Sequence, residues 1–401
     1  MNGWEFKKSA YLCKYCFYER INDSIKDMNI ARYMIAGAMV LMSASSALAQ
    51  KVVIGNYVFP KDKATYYGEL EGGKPNGKGK TTFPSGDTYE GEYEKGKRQG
   101  YGVYTFTDGE KYEGNWHQDH QHGKGTYYFA NNNKYDGLWY IDYQQGMGTM
   151  YYYNGDKYMG DWFQDKRNGK GRYTWANGIY YDGDWKEDKK SGKGVFDWRD
   201  GSIYEGDMDN DMRNGQGKYT YANGDFYTGG WKDDMMHGKG IYRFKNGDVY
   251  EGDYQNGERT GQGIFTYTDK RKYVGQFKNG LMEGFGTYTW PDGSKYEGYW
   301  VEDKEHGRGK FTGANGDVYD GEWAGGEMSG EGVLRLSDGT KFKGHFKDGM
   351  KNGKGVEELA DGTRFEGSFV NDLKDGSFVE KDRNGNILRK GIYNRGRLMG
   401  Q

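Results

Sequence analysis

The sequence predicts an all-β protein, an elongated, single-layer, twisted antiparallel sheet of stacked β-hairpins. Glycine recurs every 23 residues without an insertion, and the residues around each of these glycines alternate between aromatic and polar types. A fixed repeat period is typical of repeat architectures, and alternation with period two is typical of strands. The recurring glycines are Gly68, Gly91, Gly114, Gly137, Gly160, Gly183, Gly206, Gly229, Gly252, Gly275, Gly298, Gly321, Gly344 and Gly367.

Composition supports a core made of rings rather than of aliphatic side chains. The 401 residues include 69 glycines and 38 tyrosines, but only 34% are hydrophobic. Aromatic side chains must therefore provide the packing. The chain has only four prolines, and its glycines are regularly spaced, which argues against a disordered low-complexity chain.

Each repeat is predicted to form two strands. In residues 89–93 the two tyrosines and the glycine share one face and the two glutamates share the other. In the second strand Gly102 and Tyr104 share a face, and Tyr101 lies on the opposite one. A loop of about six residues is expected between the two strands. Asp108-Gly109 and its equivalents predict a type I′ turn between repeats.

The glycines are predicted to serve packing. A ring on one strand can lie flat over a neighbouring glycine, which has no Cβ to obstruct it. A single sheet could then bury aromatic area without a second layer, and neighbouring repeats would shelter one another. On the polar face, acids before the first glycine, such as Glu90, and bases between the paired glycines, such as Lys78, predict cross-strand ion pairs.

The unit Tyr-Glu-Gly-Glu-Tyr-x-x-Gly-x-x-x-Gly-x-Gly of residues 89–102 closely resembles the MORN (membrane occupation and recognition nexus) repeat. The resemblance covers residues 66–387. It implies an elongated, twisted sheet of stacked hairpins that acts as a scaffold, a dimerisation element or a module that contacts lipids or proteins. The resemblance also implies a link to anionic phospholipids. In this chain, however, the basic residues are interleaved with acids rather than clustered.

The first 49 residues differ in composition from the rest. Within them Met28 to Ala49 reads as a secretory signal peptide, with Arg32 before an apolar stretch and Ala47-Leu48-Ala49 at its end. We expect cleavage after Ala49 and translation to start at Met28; the alternative is an uncleaved anchor helix. The predicted protein is exported, and is periplasmic, outer-membrane-associated or secreted.

The remaining chain divides into three parts. Residues 50–65 are predicted to be an N-terminal cap strand, residues 66–387 fourteen repeats, and residues 388–401 a partial capping repeat. The only cysteines, Cys13 and Cys16, lie in the leader, and no second pair completes a zinc site. Lys and Arg total 57 against 59 Asp and Glu, so charge predicts no nucleic-acid partner.

No catalytic residue and no cofactor are predicted. Paired carboxylates such as Glu90 and Glu92 recur in five of the fourteen repeats, as a solvated sheet face would, whereas a catalytic pair is normally singular. The Gly-x-Gly pairs lack G-x-G-x-x-G spacing and a following helix. The cluster of His117, Asp119, His120 and His122 could bind a transition metal or be an ordinary polar loop, and no metal site is assigned to it.

The aromatic stripe provides the candidate binding residues. Its rings could form the core, or a ring-lined groove could stack against sugars, acyl chains or a partner's aromatic side chains. The candidate groove contacts are Tyr93, Trp116, Trp139, Trp162, Trp185, Trp231, Trp300 and Trp323.

These observations favour an exported, non-enzymatic scaffold of the cell envelope. It would bind a protein partner or itself, with a homodimer as one form of self-association. The alternative is a membrane-associated or secreted module that binds glycan or lipid in the aromatic groove.

Overall fold

The structure is a computed structural model that describes residues 52–400, where every regular element is a β-strand. Each strand pairs antiparallel with the strands that precede and follow it, and together they form one 31-stranded sheet. Among the described residues β1 pairs only with β2 and β31 only with β30, so the sheet is open. The predicted fold class is confirmed. The predicted leader, its cleavage site and both cysteines lie outside the described residues.

The strands are β1 Val53–Val58, β2 Thr65–Glu71, β3 Lys74–Thr82, β4 Thr88–Glu94, β5 Lys97–Thr105, β6 Lys111–His117, β7 His120–Tyr128, β8 Lys134–Tyr140, β9 Tyr143–Tyr151, β10 Lys157–Phe163, β11 Lys166–Thr174, β12 Tyr180–Lys186, β13 Lys189–Asp197, β14 Ile203–Asp209, β15 Met212–Thr220, β16 Phe226–Lys232, β17 Met235–Arg243, β18 Val249–Gln255, β19 Glu258–Thr266, β20 Lys272–Lys278, β21 Leu281–Thr289, β22 Lys295–Val301, β23 Lys304–Thr312, β24 Val318–Ala324, β25 Glu327–Arg335, β26 Lys341–Lys347, β27 Met350–Glu358, β28 Arg364–Val370, β29 Leu373–Lys381, β30 Ile387–Asn394 and β31 Arg397–Gly400.

The turn inside each repeat is tighter than the sequence predicts. Between β4 and β5 only Lys95 and Gly96 are unpaired, and their φ values of 52° and 84° are those of a type I′ turn. The predicted six-residue loop is wrong, because pairing continues past it. The extra residues form a bulge instead, in which three residues around Gly100, itself at φ 67°, oppose Glu92 alone.

The turn between repeats also differs from the expected type. The Phe106 N–H donates to the Glu110 carbonyl (3.0 Å) and the Gly109 N–H to the Phe106 carbonyl (3.2 Å). Only Gly109 among these residues has a positive φ, 94°. This is a three-residue loop built on a type I turn with a glycine bulge, so the type I′ prediction at Asp108-Gly109 is wrong. An Asp-Gly pair fits both geometries.

The two faces of the sheet are chemically distinct, and we call them the aromatic face and the back face. On the aromatic face Tyr89 is fully buried, and its hydroxyl donates to the Glu92 carbonyl (3.0 Å). A Cβ added at Gly102 would lie 2.5 Å from Cζ of the Tyr89 ring, and one at Gly91 would meet the backbone of Gly102 at 2.5 Å. The predicted packing of rings over glycine is confirmed.

The back face carries the ion pairs, but in a different register from the one predicted. Lys170 lies opposite Asp184, with Nζ at 2.5 Å from Oδ1, and Lys193 pairs with Asp207 at 2.7 Å. In both pairs the acid follows the glycine of the next repeat. The pairing between repeats sets this register: Gly171 lies opposite Gly183, so Lys170 faces Asp184 rather than the acid that precedes the glycine.

Candidate functional site

The predicted groove contacts lie mostly in the core. Tyr93, Trp116, Trp139, Trp162, Trp185, Trp231 and Trp300 are only 3–6% exposed, and Trp323 is partly buried. Trp116 packs edge-to-face on Tyr89 and Tyr112, with ring centroids 5.3 and 5.2 Å apart, and its indole N–H donates to the Gly102 carbonyl (3.2 Å). Such a ring joins two repeats and leaves little surface for a ligand.

A further row of side chains covers these rings, and we call it the cover row. In the most regular repeats its member is an arginine. The Arg98 guanidinium lies over the Trp116 ring at 4.3 Å, and its Nη2 donates to the Asp119 carbonyl (2.8 Å) in the next repeat's turn. Arg167 and Arg213 repeat this arrangement. The row comprises Pro75, Arg98, Gln121, Gln144, Arg167, Lys190, Arg213, Met236, Arg259, Met282, Glu305, Met328, Lys351 and Lys374.

The aromatic surface that remains on this face belongs to another row, which sequence reasoning did not single out. These outer rings are half-buried and lie at the ends of the second strands. Phe129 and Tyr152 line a concavity of about 640 Å³ together with Asp142 and Asp165. The outer rings are Phe83, Phe106, Phe129, Tyr152, Trp175, Trp198, Tyr221, Phe244, Tyr267 and Trp290.

Buried phenols on the aromatic face stay neutral at ordinary pH. Burial, and then the Asp87 carboxylate that accepts its hydrogen bond, raise the pKa of Tyr104 to about 12. Burial raises the pKa of Tyr66 to about 12 as well. Both hydroxyls therefore remain hydrogen-bond donors rather than bases.

The back face carries an apolar patch that the sequence analysis missed. Seven large side chains on β8, β9 and β10 point to this face and are 38–58% exposed. In regular repeats the places of Leu138 and Met147 are taken by an acid and a lysine, as in Asp161 and Lys170. Alignment of the fourteen repeats with one another shows this departure in the sequence. We call the set the central patch: Leu138, Tyr140, Tyr143, Met147, Tyr151, Met159 and Phe163.

A second patch lies on the same face, further along the sheet. Phe285 and Tyr299 are opposite one another in register, with ring centroids 5.6 Å apart. Val274, Leu281 and Val301 flank them, and the five side chains are 39–53% exposed. The two patches are separated by repeats that carry the Lys–Asp pairs.

The histidine cluster does not assemble a metal site. His120 Nδ1 lies 2.6 Å from Asp142 Oδ2, in the next repeat, and the His117 and His122 rings are 5.4 Å apart. The buried Nδ1 of His122 has no hydrogen-bond partner in the described part of the chain. Within residues 52–400, no group of three or more His, Cys, Asp or Glu is placed to hold a metal ion.

The same residues include no helix that is long and apolar enough to cross a membrane.

Comparison with known proteins identifies the repeat. A family model described as the MORN repeat matches fourteen segments between residues 66 and 387, continuous except for residues 271–272. No curated protein matches the chain.

Three of the solved structures that match show remote likeness. The TCP domain of Drosophila melanogaster SAS-4, in complex with a proline-rich motif of Ana2, is 14% identical with a TM-score of 0.26, over 39% of this chain and 85% of that one. The G-box domain of the microcephaly protein CPAP is 15% identical with a TM-score of 0.26, over 51% and 100%. A Staphylococcus aureus virginiamycin B lyase is 10% identical with a TM-score of 0.12, over 78% and 92%. Likeness at this level carries no argument about function.

Proposed function

The chain belongs to the MORN repeat family, and on this premise we propose that it is an exported, non-enzymatic scaffold of the cell envelope that binds a protein partner or a second copy of itself. MORN repeats suggest a scaffold for protein or membrane association, and no catalytic family is indicated. The finer assignment rests on the back face and on the leader sequence.

The central patch is the observation that carries the proposal. The aromatic face covers its own core, because each ring packs against rings and glycines of neighbouring repeats. The back face has no second layer in the described chain, yet it exposes seven large apolar side chains on three adjacent strands. Contiguous apolar surface rimmed by charge is typical of protein–protein contacts.

Charge around the central patch supports a protein partner. Lys134 and Lys157 hold their ammonium groups 4.4 and 5.2 Å from the Tyr151 ring, and Lys170 begins the row of Lys–Asp pairs beyond it. An apolar centre with a polar rim is the usual anatomy of an interface.

Replacement of patch residues by those of regular repeats tests the proposal. The double variant Leu138→Asp with Met147→Lys gives the patch the acid and the lysine that regular repeats carry, as at Asp161 and Lys170. Residues 50–401 would be used to capture partners from the native envelope fraction, and light scattering would measure self-association. We expect the partner or the dimer to be lost in the double variant and retained in Gln216→Ala, a back-face control away from both patches. Equal capture or equal dimerisation by the variant would refute the patch as the contact.

Export is tested by the N-terminus of the purified protein. If the leader is cleaved after Ala49, N-terminal sequencing of protein from the envelope fraction should begin at Gln50. Cytosolic protein that retains residues 28–49 would contradict export.

The alternative function is glycan or lipid binding on the aromatic face. The concavity lined by Phe129 and Tyr152 favours it, because exposed ring faces beside carboxylates suit stacking and hydrogen bonding to sugars. Titration with glycans and with liposomes, read by tryptophan fluorescence, tests it. A response that Phe129→Ala abolishes would support this alternative, and no response from either panel would eliminate it.

A further inference from the structure

The fully buried part of the aromatic core is divided once within the described repeats, at Trp323, which is half-buried but still packs edge-to-face on Tyr296 and Tyr319. One cluster of buried rings runs from Tyr66 to Trp300, and a separate cluster begins at Tyr319. Only the partly buried rings Phe311 and Trp323 contact both clusters. The repeat that begins at Tyr296 therefore differs in its packing from the repeats before it.

Three departures from the repeat pattern coincide at this place. The cover row has Glu305 where Arg98 and its equivalents stand, and the outer-ring row has Gly313 in place of an aromatic residue. The next turn has Gly326 where the regular repeats have an aspartate such as Asp119. Trp323 is half-buried here, whereas six other tryptophans in its row are buried.

The carboxylate of Glu305 has no counter-ion. It lies in register with Trp300 and lines a concavity of about 460 Å³ with Trp290 and Tyr288. Among residues 52–400 it forms no ion pair and accepts no side-chain hydrogen bond, and its neighbours in the cover row are Met282 and Met328. Burial raises the pKa of Glu305, as expected for an acid without a cation beside it.

The basic groups in that concavity are already engaged. Arg271 Nε donates to Asp269 Oδ2 (2.6 Å), and its Nη1 approaches the Tyr288 hydroxyl (3.4 Å). Arg259 donates through Nη2 to the Gly280 carbonyl (2.6 Å). Neither group is paired with Glu305.

The regular repeats show what this space can hold. At Arg98, Arg167 and Arg213 the guanidinium lies 4.3 Å from the centroid of the next repeat's tryptophan. At Glu305 the corresponding tryptophan, Trp323, is kept, but the guanidinium is missing and a carboxylate stands in its row. Guanidinium groups bind a carboxylate through two parallel hydrogen bonds and stack on aromatic faces.

We propose that Glu305 and the half-buried Trp323 form a site for a guanidinium group supplied from outside, the arginine side chain of a partner protein. The carboxylate pairs with the guanidinium, and the indole of Trp323 stacks on it. Gly313 and Gly326 leave the approach open, because neither carries a side chain. The site lies on the face opposite the apolar patches and goes beyond the function proposed for them.

Calorimetric titration of residues 50–401 with N-acetyl-arginine amide tests the site directly. We expect saturable binding to the wild type that is weakened at least about tenfold by Glu305→Gln, which keeps the shape and removes the charge. The double variant Glu305→Arg with Gly326→Asp recreates the Arg98–Asp119 pair, fills the site from within and should abolish binding. Glu331→Gln, an acid on the back face, should bind as the wild type does.

Two further probes define the chemistry. N-acetyl-lysine amide and tetramethylammonium carry the same charge without the planar guanidinium, and both should bind more weakly. No heat with arginine amide, unchanged binding by Glu305→Gln, or equal binding of tetramethylammonium would each overturn the proposal. Because the probe is a small molecule, its failure would leave the back-face proposal standing.

Discussion

The repeat around Arg98 and the repeat around Glu305 have the same lower layer and different upper layers. Tyr89 lies over Gly102, and Tyr296 lies over Gly309 in the same way, since a Cβ at either glycine would meet the ring Cζ at 2.5 Å. Above these rings, one repeat has an arginine over a tryptophan, and the other has an unpaired acid. The sheet therefore depends on the lower layer, and the upper layer can change to form a site without loss of the fold.

The largest expected effect comes from the shared lower layer. Gly102→Ala and Gly309→Ala should each cost about 3 kcal/mol of unfolding free energy, because the Cβ would overlap a buried ring. Urea unfolding followed by tryptophan fluorescence measures it. Gly96→Asp is the control, since a Cβ there meets nothing within 4 Å and other repeats carry Asp at that turn position. A mild effect at Gly309 alone would show that the lower layer differs too.

Removal of the regular upper layer should have an intermediate effect. Arg98→Met substitutes the residue found at Met282 and should lower the unfolding free energy by about 1–2 kcal/mol, because the cation–π contact and the bonds to Asp119 are lost. Thermal unfolding of the two proteins measures the difference. If Arg98→Met unfolds at the same temperature as the wild type, the cover row contributes nothing to stability.

Repair of the interrupted layer should stabilise the chain by a smaller amount. Glu305→Arg with Gly326→Asp would restore a guanidinium over Trp323 and is expected to add about 1 kcal/mol. Part of the gain offsets the strain of a non-glycine residue at position 326, where φ is 95°, and Gly326→Asp alone is the matched control. A double variant less stable than that single variant would contradict the comparison.

The smallest expected effect is a pH dependence at Glu305. Burial raises the folded-state pKa of this carboxyl above its usual 4.5, so ionisation disfavours the folded state. The stability it contributes is fully present below the unfolded-state pKa and is lost as pH rises through the folded-state value. Glu305→Gln should therefore unfold at a higher temperature than the wild type at pH 7 and match it near about pH 4. A constant difference across this range would show that ionisation is not responsible.

Much of the fold could be predicted from the sequence, because period and alternation are local signals. The packing of Tyr89 over Gly102 followed from side-chain direction alone. The turns could not be assigned, since Asp108-Gly109 suits two loop geometries, and a positive φ at Lys95 gives little signal in sequence. The strands of this repeat remain paired at Arg98, so the loop between them is shorter than the spacing of the glycines predicted.

The site was harder to predict than the fold. The sequence left Trp116 and its equivalents open as core rings or groove contacts, and it could not show that neighbouring repeats cover them from above, which depends on inter-repeat register. The central patch and Glu305 were detectable as departures from the repeat at Leu138, Met147 and Glu305. A search for a repeated pattern detects the residues that the repeats share. These features lie instead at positions that depart from the repeat.

Hydrogen exchange across the whole chain tests most directly whether the cover row protects the repeats beneath it and leaves a gap at Glu305. Amides of β23 and of the following turn at residues 313–317 should exchange faster than those of β5, β11 and β15, because the upper layer over them is open. Equal protection in all four strands, or least protection in an arginine-covered strand, would contradict the account.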